Sequence, residues 1–390
     1  MSKQIYYNID PLDKEGANIN LSYGERSNGK SYQVKDKKMF HPYLHDHKRY
    51  IASYKNKDDI IEEDIKAGRR FMLVWRLVED IRTEKIEQYF MDMDIVKLTN
   101  NKYNTIDIYR RQIFLANYDI DSGRIIRGEK IGYVVALSIE QNYAGGSYLD
   151  VDDIIFEEFM SRLGNGTTYL YDEPNKLMNL YSTVDRKRGT TKLWLVGNTI
   201  NMVCPYFKDW GLQEEVNHQK QGEIITKWVS THSFDDDGQE IFVKVAIEYC
   251  KDSGKSSFVI GSHSNMLNKG NWQSDPQPHL PKSYREYKCL YRMVFFYKGF
   301  KFLAEYLKEK DGNESCWFIK PKYSKIKDKT LVFSDIIKTS KYWQRDIYNP
   351  LIKNDRLRRF LYQFRENQIF YATDLCGTVF KNSIDFEIRK

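Results

Sequence analysis

Several short stretches of the chain are apolar with little interruption: Phe71–Trp75, Ile131–Ser138, Ile154–Phe156 and Lys192–Gly197; Ile19–Tyr23 offers a further short strand. Continuous apolar runs of this length predict strands buried on both faces. Between them the period changes. Thr83–Met91 puts Ile86, Tyr89 and Phe90 on one side of a helix, and Glu173–Arg188 does the same with Leu177, Leu180, Tyr181 and Val184. Residues 58–68 read as a short amphipathic helix ended by Gly68. Ile106–Tyr109, Ile113–Ala116 and Arg124–Ile126 predict a small antiparallel insertion. Buried strands alternating with helices imply an α/β fold with a mostly parallel sheet flanked by helices.

Further along, 224–234 and 240–249 alternate in β fashion around Asp235–Gly238, a hairpin pattern. Gln213–Glu223 is polar and reads as a linker, and Gly270–Pro281 as a loop. Tyr284–Leu307 is aromatic-rich and is expected to turn helical over Phe300–Lys308. The expected organisation is a first domain over 1–207, a linker or lid over 208–240, and a smaller α+β domain over 241–390.

Composition changes the picture only through charge. Residues 1–240 carry 33 Lys and Arg against 38 Asp and Glu, and residues 241–390 carry 28 against 16. A basic back half suggests a polyanionic partner. Its best phosphate contacts are Lys320, Lys322, Lys325 and Lys327 around Tyr323, and Arg356, Arg358 and Arg359 on a helix with Leu357, Phe360 and Phe364. No apolar run approaches a membrane span and the first residues show no signal-peptide pattern, so a soluble cytoplasmic protein is expected. The five cysteines form no C-x-x-C and read as reduced.

The strongest chemistry lies at Gly24–Ser31, G-E-R-S-N-G-K-S, a full phosphate loop between a strand and a helix. Gly24 and Gly29 let the backbone wrap a phosphate, together with Glu25, Arg26, Ser27 and Asn28. Lys30 would neutralise the β- and γ-phosphates of ATP, and Ser31 would take a place on Mg²⁺. Lys251–Ser256 mimics this loop, but position 249 is Tyr where the first Gly is needed, so it reads as a turn. His41, His45, Asp46 and His47 sit in a loop pattern with no cysteine near, which argues against zinc.

Ile154-Ile155-Phe156 runs into Glu157 and Glu158, two acids at a strand end. In a parallel sheet they would emerge beside the phosphate loop, with Glu157 on the metal and Glu158 as base for the attacking water. Arg186-Lys187-Arg188 closes the helix of Glu173–Arg188, either as favourable charge at a helix end or as an arginine finger for a neighbouring subunit. Asn198 ends the next strand, where a polar side chain would report on the γ-phosphate.

These stretches, with N-L-Y-S-T-V-D-R-K-R and L-V-G-N-T-I-N-M-V-C-P-Y-F, resemble the DNA-packaging ATPases of small tailed phages, the phi-29-like group of terminase-related motors. The likeness covers about residues 19–211. It implies an ASCE-type P-loop domain and a homomeric ring, with a pentamer favoured, docked on the procapsid portal in the host cytoplasm. Such a ring translocates double-stranded DNA as ATP is hydrolysed, with a packaging RNA as a further partner. It implies Glu158 as catalytic glutamate, Arg186 as the trans-acting arginine with Arg188 as the alternative, Arg26 as the P-loop arginine of terminases, and Asn198 as the coupling residue. One departure is Glu157, where the family usually has aspartate. The basic domain is then expected to be RNase H-like without nuclease function, since only Glu248 and Asp374 present themselves as strand-end acids. The competing readings are a nuclease-competent large terminase and a nucleotide-gated DNA-binding or portal-docking protein.

Overall fold

The computed structural model describes residues 6–45, 47–51, 64–161, 169–235, 237–254, 260, 264–327, 330–336, 338, 342–344 and 355–388. They fall into two compact units, one of residues 1–161, 168–198 and 219–256, the other of 162–167, 199–218 and 257–390.

The first unit carries β1 (Ile19–Gly24), the two-stranded ribbon β2 (His47–Ile51) and β3 (Asp64–Gly68), β4 (Arg70–Trp75), β5 (Thr105–Tyr109), β6 (Gln112–Asp119), β7 (Arg124–Ala136), β8 (Val151–Glu157), β9 (Lys192–Asn198), β10 (Ile224–Phe234) and β11 (Glu240–Tyr249). Nine of them form one sheet in the order β10-β11-β1-β9-β8-β4-β7-β6-β5. From β11 to β7 every pairing is parallel, and the antiparallel pairs lie only at the two margins. The apolar runs explain the centre only in part: β1 and β8 are buried at every residue, yet β1 carries Asn20 and Ser22 and β8 carries Asp152 and Asp153, polar groups covered along with their apolar neighbours. One strand, β9, separates β1 from β8, as in an ASCE-type P-loop sheet.

Four expectations change here. The run at Arg124–Ile126 and that at Ile131–Ser138 as far as Ala136 are one strand, β7, which pairs antiparallel with β6 from Arg124 to Tyr133 and parallel with β4 from Gly132 to Ala136. The helix expected over 58–68 is a strand for Asp64–Gly68, and 58–63 lie outside the described residues. The domain boundary also moves. β11 pairs in parallel with the P-loop strand, Leu21 opposite Ile247, so 224–249 completes the first unit instead of bridging to the second. Nor is Gln213–Glu223 a solvated linker: Gln219 is buried, accepting from the Tyr23 hydroxyl at 2.5 Å and donating to the Ile247 carbonyl at 2.9 Å. A count of polar residues misses this, because a buried amide is stable where its bonds are made.

The second unit contains β12 (Tyr287–Tyr297), β13 (Phe300–Glu309), β14 (Ser315–Pro321), β15 (Val332–Ser334), β16 (Trp343–Gln344) and β17 (Ile369–Tyr371) in the order β16-β15-β12-β13-β14-β17. β12, β13 and β14 form an antiparallel meander, and β15 and β16 follow in parallel on the β12 side. Counted from β12 the order 5-4-1-2-3 is the RNase H-like arrangement, with β17 added at the far edge. The helix expected over Phe300–Lys308 is strand β13. Lys298 at φ 53° and Gly299 at φ 82° make a two-residue hairpin turn of the kind that demands positive φ at both positions, and it folds β13 directly back on β12. Phe295, Phe302, Trp317, Phe360 and Phe380 then interlock, with Phe295 stacked on Phe360 at 4.9 Å and Trp317 edge-on to Phe360 at 5.2 Å.

The placement of β11 can be tested by Ile247→Ala, at a fully buried position. A deletion of this size costs about 2–5 kcal/mol. The expected result is a clear drop in melting temperature. A change within experimental scatter would mean that β11 is not part of the core of the first unit.

Candidate functional site

The carboxyl end of β1 carries the glycine-rich loop. Gly24 has no space for a side chain, since a Cβ there would lie 3.0 Å from the Cys250 Cβ. Gly29 adopts φ 96° and leads into the helix Lys30–Val34. That helix continues as a π-helical stretch, Lys35–Phe40, and then as His41–His45.

Lys30 is buried, and its ammonium donates to the Glu25 carbonyl at 2.5 Å and to Asn28 Oδ1 at 3.1 Å. Burial draws its pKa below the ordinary lysine value, while Glu157 and Glu25 pull the other way. The Asn28 amide nitrogen is buried with no acceptor. A concave loop with a buried cation and an orphaned donor suits an oxyanion, so the residues present fit a nucleotide phosphate. Arg26 and Ser27 are exposed at the loop's crest. The Glu25 carboxylate accepts from the Ser253 amide at 2.5 Å and its hydroxyl at 3.0 Å. The P-loop mimic is therefore not a hairpin turn in its described part, 251–254; it packs against the true P-loop.

Ser31 Oγ donates to Glu157 Oε2 at 3.1 Å, and the Tyr89 hydroxyl donates to Glu157 Oε1 at 2.7 Å. Burial raises the Glu157 carboxyl above the usual range, against the pull of those two hydroxyls and Lys35. Lys35 itself donates to the Tyr89 carbonyl and pairs with Asp92, so it holds the tyrosine from behind. Ser31 and Glu157 together form a hydroxyl–carboxylate pair suited to a hard divalent cation.

Glu158 is exposed and sits in the left-handed region, φ 54°. Arg76 holds that turn: it donates to the Glu158 carbonyl at 3.2 Å and the Phe159 carbonyl at 2.9 Å, and forks onto the fully buried Glu173 carboxylate at 2.8 and 3.0 Å. Sequence reasoning assigned no role to Arg76, Glu173 or Tyr89. The available signal was Arg76 itself, a cation directly closing an apolar strand. Asn198 lies opposite Gly24 in the β9–β1 register, half-buried at the mouth of the P-loop.

The two arginines after the helix Glu173–Asp185 separate cleanly. Arg188 donates to the carbonyls of Leu149, Val151, Val184 and Asp185 and to Thr191 Oγ1 at 2.7–3.1 Å. Arg186 is exposed and donates to the Gly146 carbonyl at 2.6 Å. Both lie at the starting end of β8, whereas Glu157 and Glu158 lie at its other end. Arg186 is therefore at the opposite edge of the sheet from its own chain's phosphate loop.

Of the other candidates, Glu248 belongs to the first unit, accepting from the Tyr7 hydroxyl at 2.8 Å near Lys30, while Asp374 belongs to the second and faces His279 at 2.9 Å. The two acids considered for a nuclease site are thus in different units. Among the described residues no three His, Cys, Asp or Glu side chains are placed to hold a metal ion. Lys320 pairs with buried Glu305 at 2.9 Å, as does Arg292 at 2.8 Å. Arg358 lies 3.8 Å from Asp355, Arg359 reaches the Tyr306 hydroxyl at 3.4 Å, and Lys325 and Lys327 are exposed. The side chain of Arg356 lies outside the described residues.

The family model for the Podovirus DNA encapsidation protein (Gp16) matches residues 48–225. Over that segment, a little under half of its length, the chain is similar to the Podovirus DNA encapsidation proteins. The match takes in Glu157, Glu158, Arg186 and Asn198 and begins after the P-loop. The DNA packaging protein of Bacillus phage phi29 is 26% identical over 219 residues, 56% of this chain and 53% of that protein. That of Bacillus phage B103 is 28% identical over 199 residues, 51% of this chain and 50% of that protein. The chain thus spans about half the length of the curated relatives it matches. A chain of the bacteriophage Phi-29 viral genome packaging motor assembly shares the fold, with a TM-score of 0.54 and 19% identity, covering 99% of this chain and 98% of that one.

Two outcomes check the site. Arg188→Ala removes several charged hydrogen bonds and should cost about 2–4 kcal/mol, whereas Arg186→Ala should change stability by about 0.5 kcal/mol or less in thermal melts. Burial also pushes the Glu248 carboxyl from 4.5 up to about 6, against the pull of Tyr7 and Lys30. The fold then holds that proton more tightly than the unfolded chain, so this group makes stability fall as pH rises from about 4.5 to about 6, with a constant penalty above. Glu248→Gln should be more stable than the parent by about 1–2 kcal/mol at pH 7.5 and gain nothing below pH 4.5 in denaturant titrations. A difference independent of pH would refute this reading.

Proposed function

We propose that the chain is an ATP-driven motor that moves double-stranded viral DNA into a procapsid, working as a homomeric ring at the portal. The observation that carries the reading is the joining of Ser31 and Glu157 at 3.1 Å, with Glu158 beside them on the same strand end. A P-loop hydroxyl touching the first of two acids is the arrangement an ATPase needs. The likeness to packaging proteins supplies the direction: nucleotide turnover coupled to DNA movement.

Lys30, the loop amides and the Asn28 amide bind the β- and γ-phosphates, with Arg26 adding charge from the crest. Ser31 and Glu157 would hold Mg²⁺, which would supply charge neutralisation for the transferring phosphoryl group. Glu158 accepts the proton of the attacking water, and Arg76 keeps its backbone in the strained turn that aims it. Asn198, alongside Gly24, senses the γ-phosphate. Arg186 serves the neighbouring subunit, in keeping with its place at the far end of the sheet, and Arg188 anchors the segment that presents it. Exposed Lys325 and Lys327, with Arg358 and Arg359, track the DNA backbone without reading sequence. Lys320, committed to Glu305, contributes little. The RNase H-like unit acts without cutting, in keeping with Glu248 and Asp374 lying in separate units.

Steady-state ATP hydrolysis over a protein concentration series, with and without linear duplex DNA, tests the reading. DNA-stimulated turnover should rise faster than concentration, fall at least a hundredfold in Glu158→Gln and in Arg186→Ala, and partly return when the two variants are mixed. Flat turnover indifferent to DNA and to Arg186→Ala would favour a nucleotide-gated switch instead.

A further inference from the structure

The C-terminal unit encloses a cavity of about 390 Å³ that takes no part in the chemistry above. Its floor is apolar, made by Met202, Phe296, Phe300, Phe302 and Val379. One wall is Gln213, only 4% exposed, the first residue of the short helix Gln213–His218. Its amide nitrogen donates to the Met202 carbonyl at 3.3 Å and to Asn217 Oδ1 at 3.0 Å, but its Oε1 accepts from nothing. A buried acceptor left without a donor costs about 1–3 kcal/mol. Turning the amide over offers no relief, because it would set the oxygen against the Met202 carbonyl and Asn217 Oδ1, both acceptors as placed.

The mouth of the cavity differs from its floor. Tyr323 is 80% exposed, with its ring 5.9 Å from that of His218. Lys301 and Lys322 also line the cavity, and neither pairs with a carboxylate among the described residues: Lys322 donates to Ser324 Oγ at 2.7 Å, and Lys301 lies over the Phe296 ring. Partial burial, and then the like charges of Lys327, Arg292 and Lys301, hold the Lys322 ammonium below its ordinary pKa. Lys208, also on the cavity wall, differs in being neutralised by Asp335 at 3.0 Å. Glu214 is the one lining carboxylate, and it is exposed.

An apolar slot with an orphaned acceptor inside and uncompensated cations beside an open aromatic ring asks for a flat ligand with an N–H edge and an anionic end. We propose that this cavity binds a nucleoside phosphate, with the base donating to Gln213 Oε1 and packing against Tyr323 and His218, and the phosphate paired with Lys301 and Lys322. The volume suits one nucleotide and excludes a duplex. The same chemistry is offered by a free nucleotide and by an unstacked nucleotide of a single strand.

The test uses the full chain carrying Lys30→Ala, so that the P-loop does not compete. Calorimetric titrations would use AMP, GMP and CMP, an octamer of single-stranded DNA, and inorganic phosphate. The expected result is saturable binding by a nucleotide or by the octamer, at least tenfold tighter than phosphate. Tyr323→Ala and Lys322→Ala, both away from the core, should each weaken it about tenfold, and Gln213→Leu should erase preference among bases. Binding by mononucleotides identifies a free nucleotide as the source, and binding by the octamer alone identifies a single strand. Absence of saturable binding, phosphate binding as tightly as nucleotides, or affinity unmoved by Tyr323→Ala and Lys322→Ala would each overturn the proposal.

Discussion

The hydrogen bond from Ser31 to Glu157 spans 126 residues of sequence, and much of the first unit is arranged so that it can form. It requires β1 and β8 to end at the same edge of the sheet, with one strand between them and both running parallel. Parallel strands need crossover connections, and the helices that make them also cover the faces of the sheet. Full burial of β1 and β8 follows, and so does the burial of Glu157 itself. A carboxylate buried that far is stable only with donors in place, which is why Tyr89 and Ser31 both reach it and Lys35 stands behind Tyr89.

How much of this could be read from residues alone depends on whether the cause is local. The P-loop, the paired acids and the central strands were legible because glycine spacing, strand-end acids and unbroken apolar runs are local signals. Non-local pairing was not. Nothing in residues 240–249 announces that they extend the sheet beside β1; that depends on Val245, Ala246 and Ile247 matching the β1 register across more than two hundred residues. The strand at Phe300–Glu309 was misjudged for a related reason. Its aromatic residues suit a helix as well as a strand, and the deciding feature is the Lys298-Gly299 turn, where positive φ at two consecutive residues forces the chain back on itself.

Cations show the same limit. Arg186 and Arg188 are two residues apart and identical in type, yet one is spent on backbone carbonyls at the start of β8 and the other projects from the surface. Lys320 and Lys322 repeat the contrast, because Glu305 lies buried beneath the first and no described carboxylate meets the second. Formal charge treats all four alike. What distinguishes them is whether a buried acceptor already claims the donors, and only the positions of distant residues decide that.

The left-handed turn at Glu158 brings these strands together. A glutamate at φ 54° costs about 1 kcal/mol or more relative to an extended one, and the cost is tolerated only where surrounding contacts over-determine it. Arg76 provides that determination with a rigid planar fork, two bonds to the carbonyls on either side of the turn and two to a carboxylate sealed from water. A lysine in its place would keep the charge and lose the simultaneous bonds, because an ammonium on a flexible stem cannot reproduce the fork. The strain at Glu158 is thus sustained by an interaction that begins just after β4 and ends on the helix after β8. A side chain exposed at the tip of a strand inherits its direction from a core that it never touches.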